Sequence, residues 1–233
     1  LKDKKHVITS TVEHPAVLNL CKQLEKEGFR VTYVPVTGEG IVDVAALKMA
    51  VDEETAIVSI MHANNETGVI NPVEEIGAFL KPLNIPFHVD GVQALCKLPF
   101  SKVPCDMYTV SAHKFHAPKG VGALYMQVGT GLKPFMHGGS QERSRRAGTE
   151  NVAGIVAMGQ AIELAAEQLE TEHRRLWALR RYFIQYLEHA LSGVHINGHP
   201  EQVLPGIISL SIEGVSAESL LINLDMKGIA CSG

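Results

Sequence analysis

Short apolar runs alternate with segments of helical periodicity along the first half of the chain. Residues 6–10, 29–34 and 56–61 have the length and the β-branched content of strands. Residues 15–27 and 43–51, which lie between those runs, carry apolar side chains at helical spacing. Alternating strands and helices predict a mostly parallel sheet that helices cover on both faces. The chain is therefore expected to be an α/β protein.

The same criteria extend the pattern through the rest of the chain. Further strands are predicted to end at Asp90 and Ser111 and to span 122–127 and 206–212, and further helices to span 72–80, 151–191 and 217–226. The 151–191 stretch has no internal proline, and its charged middle is typical of a solvated face. A single long helix is expected there.

Composition excludes several function classes. Of the 233 residues, 45% are hydrophobic and 20% are charged, as is ordinary for a globular domain, and the net charge of -4 gives no indication of a nucleic-acid partner. No run of about 18 apolar residues occurs, so no membrane span is expected. The four cysteines and the scattered histidines lack paired spacing, which predicts no disulfide framework and no metal site. A reducing compartment, most simply the cytoplasm, follows.

Candidate chemistry lies where two of the predicted strands end. The apolar run before Ser111 is followed by His113 and Lys114, and a lysine there could form an imine with the aldehyde of pyridoxal phosphate. On this segment alone a solvated surface lysine is the commoner interpretation. The other strand ends at Asp90, with Gln93 three residues later, and such an acid could pair with the pyridine nitrogen of that cofactor. A helix cap is the simpler alternative for Asp90.

With these residues the chain resembles the cysteine desulfurases of the NifS/IscS type, which are fold-type I enzymes of the class V aminotransferase family. The matching segments are Glu13-His14-Pro15-Ala16-Val17, Met61-His62-Ala63-Asn64-Asn65-Glu66-Thr67-Gly68, His88-Val89-Asp90-Gly91-Val92-Gln93, Ser111-Ala112-His113-Lys114, His137-Gly138-Gly139-Ser140-Gln141-Glu142-Arg143 and Ala147-Gly148-Thr149. The resemblance implies a mostly parallel, seven-stranded-type sheet sandwiched by helices, and part of a smaller α+β C-terminal domain. It implies a large domain over 1–167, with its N-terminal part missing, and an incomplete small domain over 168–233.

The resemblance also implies a role for each candidate residue. Lys114 would carry the cofactor, Asp90 would bind the ring nitrogen, and Gln93 would donate to the phenolic oxygen. His14 would stack on the ring and act as an acid or base, and Asn65 would bind the cofactor oxygen or the substrate carboxylate. Ser111 and His113 would bind the phosphate, and His113 is also counted as catalytic. Thr149 would bind the phosphate of the cofactor in a second copy of the chain.

Simpler interpretations stay open for several of these residues. His14 could cap a helix, and Asn65 could be a turn former. Lys119 is the rival amine, but Pro118 and Gly120 predict a turn around it. Arg143, Arg145 and Arg146 could support an interface or face solvent, and no catalytic role is assigned to them.

The implied activity is conversion of L-cysteine to L-alanine, with the sulfur left as a persulfide on an enzyme cysteine for acceptors such as iron–sulfur scaffolds. Selenocysteine lyase and class V aminotransferase are alternatives on the same fold, and a cofactor-free binding subunit is a third. Cys231 follows the apolar pair Ile229-Ala230, is expected to be partly buried, and is not expected to be the nucleophile. The chain opens without Met and stops at Gly233, so truncation at both ends is expected, with the reactive cysteine and a substrate-binding arginine lying further on.

Overall fold

The structure, a computed structural model, describes residues 4–99 and 103–233 of the chain. The strands are β1 (His6–Ser10), β2 (Arg30–Val34), β3 (Thr55–Met61), β4 (Phe87–Asp90), β5 (Met107–Ser111), β6 (Gly122–Met126), β7 (Val194–Asn197) and β8 (Ser209–Ile212). The helices are α1 (Pro15–Lys26), α2 (Val44–Ala50), α3 (Val73–Leu80), α4 (Gln141–Ser144), α5 (Val152–Ala190) and α6 (Ala217–Asp225), with short 3₁₀ segments at Lys81–Leu83 and Ala112–Phe115.

One mixed sheet organises the molecule. Its strand order is β2-β1-β3-β4-β5-β6, in which the first five strands run parallel and β6 runs antiparallel to β5. The expected α/β class, with a mostly parallel sheet flanked by helices, is confirmed. Within the described residues this sheet has six strands, where the resemblance implies a seven-stranded type. Strands β7 and β8 form a separate antiparallel pair, and β7 is an element that the apolar pattern does not predict.

The core lies between the middle of the sheet and the helices on one of its faces. Ile8, Val58, Ile60 and Phe87 are almost fully buried and belong to one apolar cluster. Helix α3 adds Val73, Ile76 and Leu80 to that cluster. These three residues are spaced three and four positions apart, so they lie on one face of the helix. Burial on both faces explains why β3 reads as a continuous apolar run rather than as an alternating one.

Helix starts follow the polar residues that precede them. The carboxylate of Asp43 accepts a hydrogen bond from the backbone N–H of Ala46 at 2.9 Å and so caps α2. Pro72 occupies the N-cap position of α3, one residue before the helix begins.

The 39-residue helix α5 confirms the predicted long helix. Near its start, Met158, Ala161 and Ile162 pack against the segment that follows β5. Further along, the guanidinium of Arg180 donates to the backbone carbonyl of Ile207, close to β8. The expected boundary between 167 and 168 falls inside this continuous helix, so the division into two domains stays a prediction. In the part of the chain that is described, no helix is long and apolar enough to cross a membrane.

Candidate active site

The candidate residues gather at the edge of the sheet where β3, β4 and β5 end. These strands are parallel neighbours, and in their register Asp90 lies beside Met61 on one side and Thr109 on the other. Ser111 is the last residue of β5, two positions beyond Thr109. The carboxyl ends of parallel strands are where open α/β sheets hold their ligands.

Asp90 ends β4 and also organises the turn that follows. Its Oδ1 accepts a hydrogen bond from the backbone N–H of Val92 at 3.0 Å. Residues 92–97 form turns and no helix, so Asp90 caps a turn where the simpler alternative predicted a helix. The other carboxylate oxygen accepts no hydrogen bond from any residue in the described ranges, and the side chain is only half-buried. Asp90 can therefore cap its turn through one oxygen and offer the second to a ligand.

Lys114 lies in the 3₁₀ turn Ala112–Phe115 directly after β5. Ala112 and Phe115 are buried and hold this turn in place, whereas His113 and Lys114 are exposed. The turn packs against Leu95 and Cys96, which belong to the turn after Asp90. The amine and the carboxylate are thus carried by two turns in direct contact. Lys119 lies in the exposed turn that its proline and glycine neighbours predict.

Ser111 and His113 are already paired with each other. The hydroxyl of Ser111 lies 2.9 Å from Nδ1 of His113, and both side chains reach solvent. Because one member of this pair donates to the other, the neutral pair keeps one donor for an anion, which fits the predicted phosphate role.

His14 caps helix α1. Its Nδ1 accepts a hydrogen bond from the backbone N–H of Ala16 at 3.1 Å, so the simpler capping interpretation is realised here. Because Nδ1 is an acceptor, the neutral ring carries its proton on Nε2. The ring remains exposed, with Nε2 available for acid–base work.

Glu13 is a buried carboxyl group beneath the site, to which the sequence pattern gives no role. Its Oε1 accepts from the hydroxyl of Ser10 at 2.6 Å and from the backbone N–H of Met61 at 3.0 Å, joining the ends of β1 and β3. Its Oε2 is buried and has no hydrogen-bond partner in residues 4–99 and 103–233. Burial raises the pKa of Glu13 to about 7, and the negative charge of Asp90 acts in the same direction. In the sequence, this role of Glu13 was signalled only by Ser10, which lies three residues earlier at the end of a predicted strand.

The loop after β3 is built by Asn64. Its Oδ1 accepts from the backbone N–H groups of Glu66 and Thr67, each at 2.9 Å, and its Nδ2 donates to the carbonyl of Val12 at 3.0 Å. The turn-forming role considered for Asn65 therefore belongs to Asn64. Asn65 is half-buried and its Nδ2 donates to Glu66 Oε1 at 2.5 Å, which leaves its Oδ1 free of that contact.

Hydrogen bonds between polar side chains link β3, β4 and β5 at the level of His88, two residues before Asp90. Nδ1 of His88 lies 2.8 Å from the hydroxyl of Ser59, and Nε2 lies 2.7 Å from that of Thr109. Burial lowers the pKa of His88, against the opposing effect of Asp90. This neutral histidine ties β3, β4 and β5 together immediately beneath the site.

Gln93 is held by a residue that sequence reasoning missed. Its Oε1 accepts a hydrogen bond from Nζ of Lys97 at 2.6 Å. The sequence places Lys97 four residues after Gln93, which was the one sign that the two could be in contact. A lysine in a turn, however, is ordinarily a surface residue.

Thr149 and the arginines stand apart from this cluster. Thr149, Arg143, Arg145 and Arg146 are exposed, and in residues 4–99 and 103–233 no hydrogen bond joins Thr149 to Ser111 or His113. The nearby segment α4 is a left-handed turn, with φ of 48° at Glu142 and 56° at Arg143. Each such residue costs roughly 1–2 kcal/mol relative to right-handed backbone.

The expected partial burial of Cys231 is wrong. Its side chain is exposed, and Ile229, two residues earlier, is itself 49% exposed. Burial therefore gives no reason for this thiol to be inert.

Comparison with known proteins assigns the site to a family. The whole chain, residues 1–233, matches the family model described as aminotransferase class-V. The chain belongs to the class-V aminotransferase family.

Two kinds of relative agree with that assignment. A curated protein named cysteine desulfurase IscS, from Dictyoglomus turgidum, is 50% identical over 230 residues, which make up 98% of this class-V chain and 58% of that protein. A solved structure described as a NifS-like protein matches with a TM-score of 0.95 at 42% identity, over 99% of this chain and 64% of that one. Another, described as SspA in complex with cysteine, matches with a TM-score of 0.72 at 32% identity, over 96% and 62% of the two chains. This chain therefore spans less than two thirds of the length of these relatives.

Class-V aminotransferases are pyridoxal phosphate enzymes, and the donor set at this edge fits that cofactor. The exposed amine of Lys114 can bind an aldehyde, and the open carboxylate oxygen of Asp90 can bind a protonated ring nitrogen. The paired Ser111 and His113 supply a donor for a phosphate. No residue in this set has to be displaced from a buried ion pair for the cofactor to enter.

Proposed function

We propose that this chain carries the cofactor site of a pyridoxal-phosphate-dependent cysteine desulfurase. The overall reaction converts L-cysteine to L-alanine and leaves the sulfur on an enzyme cysteine as a persulfide. The observation that carries the proposal is the meeting of Asp90 and Lys114 on two turns packed against each other at the carboxyl edge of the sheet. When bound, the cofactor supplies the electron sink that labilises the amino acid.

Each side chain then has a defined task. Lys114 would hold the cofactor covalently, and its amine would also be available to move a proton. Asp90 keeps the ring nitrogen protonated, and its second oxygen is the one available for that contact. His14 would cover the ring and could exchange a proton at Nε2, since its Nδ1 accepts from the backbone N–H of Ala16. Asn65 contributes to binding of the cofactor oxygen or the substrate carboxylate.

We further propose a homodimer in which Thr149 binds the phosphate held by Ser111 and His113 of the other copy. Exposure of Thr149 and its lack of a contact with that pair in the described residues support a partner outside its own chain. Large apolar side chains between residues 124 and 156 are also exposed: Leu124, Tyr125, Val128, Phe135, Met136, Val152, Ile155 and Val156. Exposed apolar clusters of this kind mark interaction surfaces.

Cysteine is the proposed substrate because relatives named cysteine desulfurase share half of the residues of this chain, and a structural relative is described in complex with cysteine. Selenocysteine lyase and class-V aminotransferase activities are the alternatives that use the same residues. The proposed sulfur acceptors are proteins such as iron–sulfur scaffolds, and the proposed compartment is the cytoplasm. Residues 1–167 are proposed to form the cofactor-binding domain and 168–233 to begin the smaller one.

We propose that a cysteine other than Cys231 carries the persulfide. A sulfur carrier has to travel between the cofactor and an acceptor, which suits a mobile loop. The resemblance gives such a loop, with a cysteine a few residues after a glycine like Gly233. Exposure of Cys231 removes the argument from burial, so this proposal rests on the resemblance.

An assay of the full-length protein tests the proposed activity. With pyridoxal phosphate and L-cysteine it should release alanine and, with a thiol reductant, sulfide in equal amounts, and Lys114→Ala should release neither. Selenide from selenocysteine without sulfide from cysteine would favour the lyase, and transamination without either would favour the aminotransferase. A wild-type protein inactive in all three assays would contradict the proposal.

A further inference from the structure

Lys97 is a half-buried lysine at the candidate site without a carboxylate partner. Its Nζ donates to Oε1 of Gln93 at 2.6 Å, and within residues 4–99 and 103–233 no Asp or Glu forms an ion pair with it. Burial lowers the pKa of Lys97, and the positive charge of Lys114 lowers it further. Burying the Lys97 amine near the positive charge of Lys114 costs folding free energy. A role for Lys97 at the site would explain why a lysine occupies this position.

The contact fixes which end of the Gln93 carboxamide faces Lys97. The carbonyl oxygen of an amide only accepts and its NH₂ group only donates, so a lysine ammonium selects the oxygen. The reverse orientation would place two donors 2.6 Å apart. The Nε2 group of Gln93 is left facing away from Lys97, and among the described residues it donates to none.

The position of Gln93 makes this free donor relevant to the cofactor. Gln93 lies three residues after Asp90, and Leu95 and Cys96, which lie between Gln93 and Lys97, pack against the turn that carries Lys114. An electron-rich oxygen on a ring held between Asp90 and Lys114 would find a donor at Gln93 only in the orientation that Lys97 selects.

We propose that Lys97 is a positioning residue that locks the Gln93 carboxamide with its Nε2 donor toward the phenolic oxygen of the cofactor. This inference rests on the proposed function. Lys97 also polarises the amide, so the hydrogen bond from Nε2 is strengthened and favours the ionised oxygen. The bound chromophore consequently loses its proton at a lower pH than it would without Lys97. Besides Lys97 and Lys114, the titratable groups on the elements proposed to surround this oxygen are Asp90, Cys96, His113, His116 and His14.

A spectroscopic titration of the full-length holoenzyme tests the role. Lys97→Met keeps the aliphatic stem but removes the donor, and it should raise the pH midpoint of the cofactor absorbance change by about one unit. Gln93→Ala should raise the midpoint as well, and in that background Lys97→Met should add less than half of its single-variant shift. Lys97→Arg retains a charged donor and should shift the midpoint less than Lys97→Met. Lys119→Met removes a lysine from the neighbouring turn and should leave the midpoint unchanged.

The outcomes separate this inference from the proposed function. A wild-type protein that develops no cofactor chromophore would overturn both. A wild-type chromophore with an unmoved midpoint in folded Lys97→Met, or with fully additive shifts in the double variant, would overturn the role of Lys97 alone. If Lys97→Met does not fold, the same comparison is made with Lys97→Leu, which also removes the donor and for which a midpoint equal to that of the wild type would contradict the inference.

Discussion

A β-carbon at Gly91 would lie 1.8 Å from Cε1 of the Tyr108 ring. Tyr108 is itself fixed, because its hydroxyl lies 2.9 Å from Nδ1 of His62. The ring on β5 therefore fills the space directly over the residue that follows Asp90. This close approach sets the course of the turn that carries Asp90, Gln93 and Lys97.

Gly91→Ala should destabilise the protein and displace that turn. Overpacking a well-filled site typically costs 1–3 kcal/mol, and the value here is expected near the upper end, about 3 kcal/mol of unfolding free energy. Chemical denaturation measures the loss. Gly38→Ala is the matched control, because a β-carbon there meets nothing within 4 Å, and it should leave stability nearly unchanged. Equal stability of the two variants would show that Tyr108 can move aside.

Asp90→Asn should separate the two roles of Asp90. An asparagine Oδ1 can still accept from Val92 N–H, so the turn should persist and the cofactor should still bind. A neutral amide cannot hold the ring nitrogen protonated, and the loss of transition-state stabilisation should be about 3 kcal/mol, equivalent to a fall in kcat of roughly two orders of magnitude. Steady-state kinetics on variants that are saturated with cofactor measure it. A kcat close to that of the wild type would remove Asp90 from the mechanism.

Glu13→Gln should change how stability depends on pH. The folded pKa of Glu13, about 7, lies above the ordinary 4.5, so between these values the folded state holds a proton that the unfolded state has lost. Stability of the wild type therefore falls as the pH rises through this window. Glutamine keeps an acceptor for Ser10 and Met61 but cannot ionise, so the variant should gain stability relative to wild type above pH 7, on the order of 3 kcal/mol at most.

Urea denaturation at pH 5 and pH 8 measures the difference for Glu13→Gln. The exposed Glu53→Gln is the control and should give the same small difference at both pH values. A difference between Glu13→Gln and wild type that is independent of pH would mean that Glu13 titrates normally in the folded state.

Mixing two inactive variants should restore activity if Thr149 acts across a dimer interface. In a heterodimer of Lys114→Ala and Thr149→Ala chains, one site loses both residues and the other keeps both. The mixed dimer should therefore recover about half of the wild-type activity per dimer, which subunit exchange followed by a sulfide assay measures. No recovery despite confirmed exchange, or full activity of a monomer, would rule out the shared site.

Most of the fold follows from local pattern. The run at β3 and the spacing in α1 are strong signals because burial selects them directly, and the observed bounds differ from the predicted ones by a residue or two. Strand β7 was not predicted, because two of its four residues, His195 and Asn197, are polar and its pairing with β8 cannot be inferred from the local sequence.

The sequence was enough to predict most residues of the site, but not the contacts that these residues make. Asp90 and Lys114 could be found because each follows an apolar run. The burial of Glu13, by contrast, depends on Met61, 48 residues away, and the importance of Lys97 depends on where Gln93 points. For Cys231 the apolar neighbours suggested burial, but no element of the described chain covers them. Such errors arise wherever the deciding contact is distant in sequence.

Borohydride reduction of the full-length holoenzyme tests the central claim, that this edge of the sheet holds pyridoxal phosphate through Lys114. Reduction followed by proteolysis and mass spectrometry should place one pyridoxyl group per chain on Lys114, and Lys114→Ala should take up none. A pyridoxyl group on Lys119 or on Lys97, or an unlabelled wild-type protein, would contradict the account.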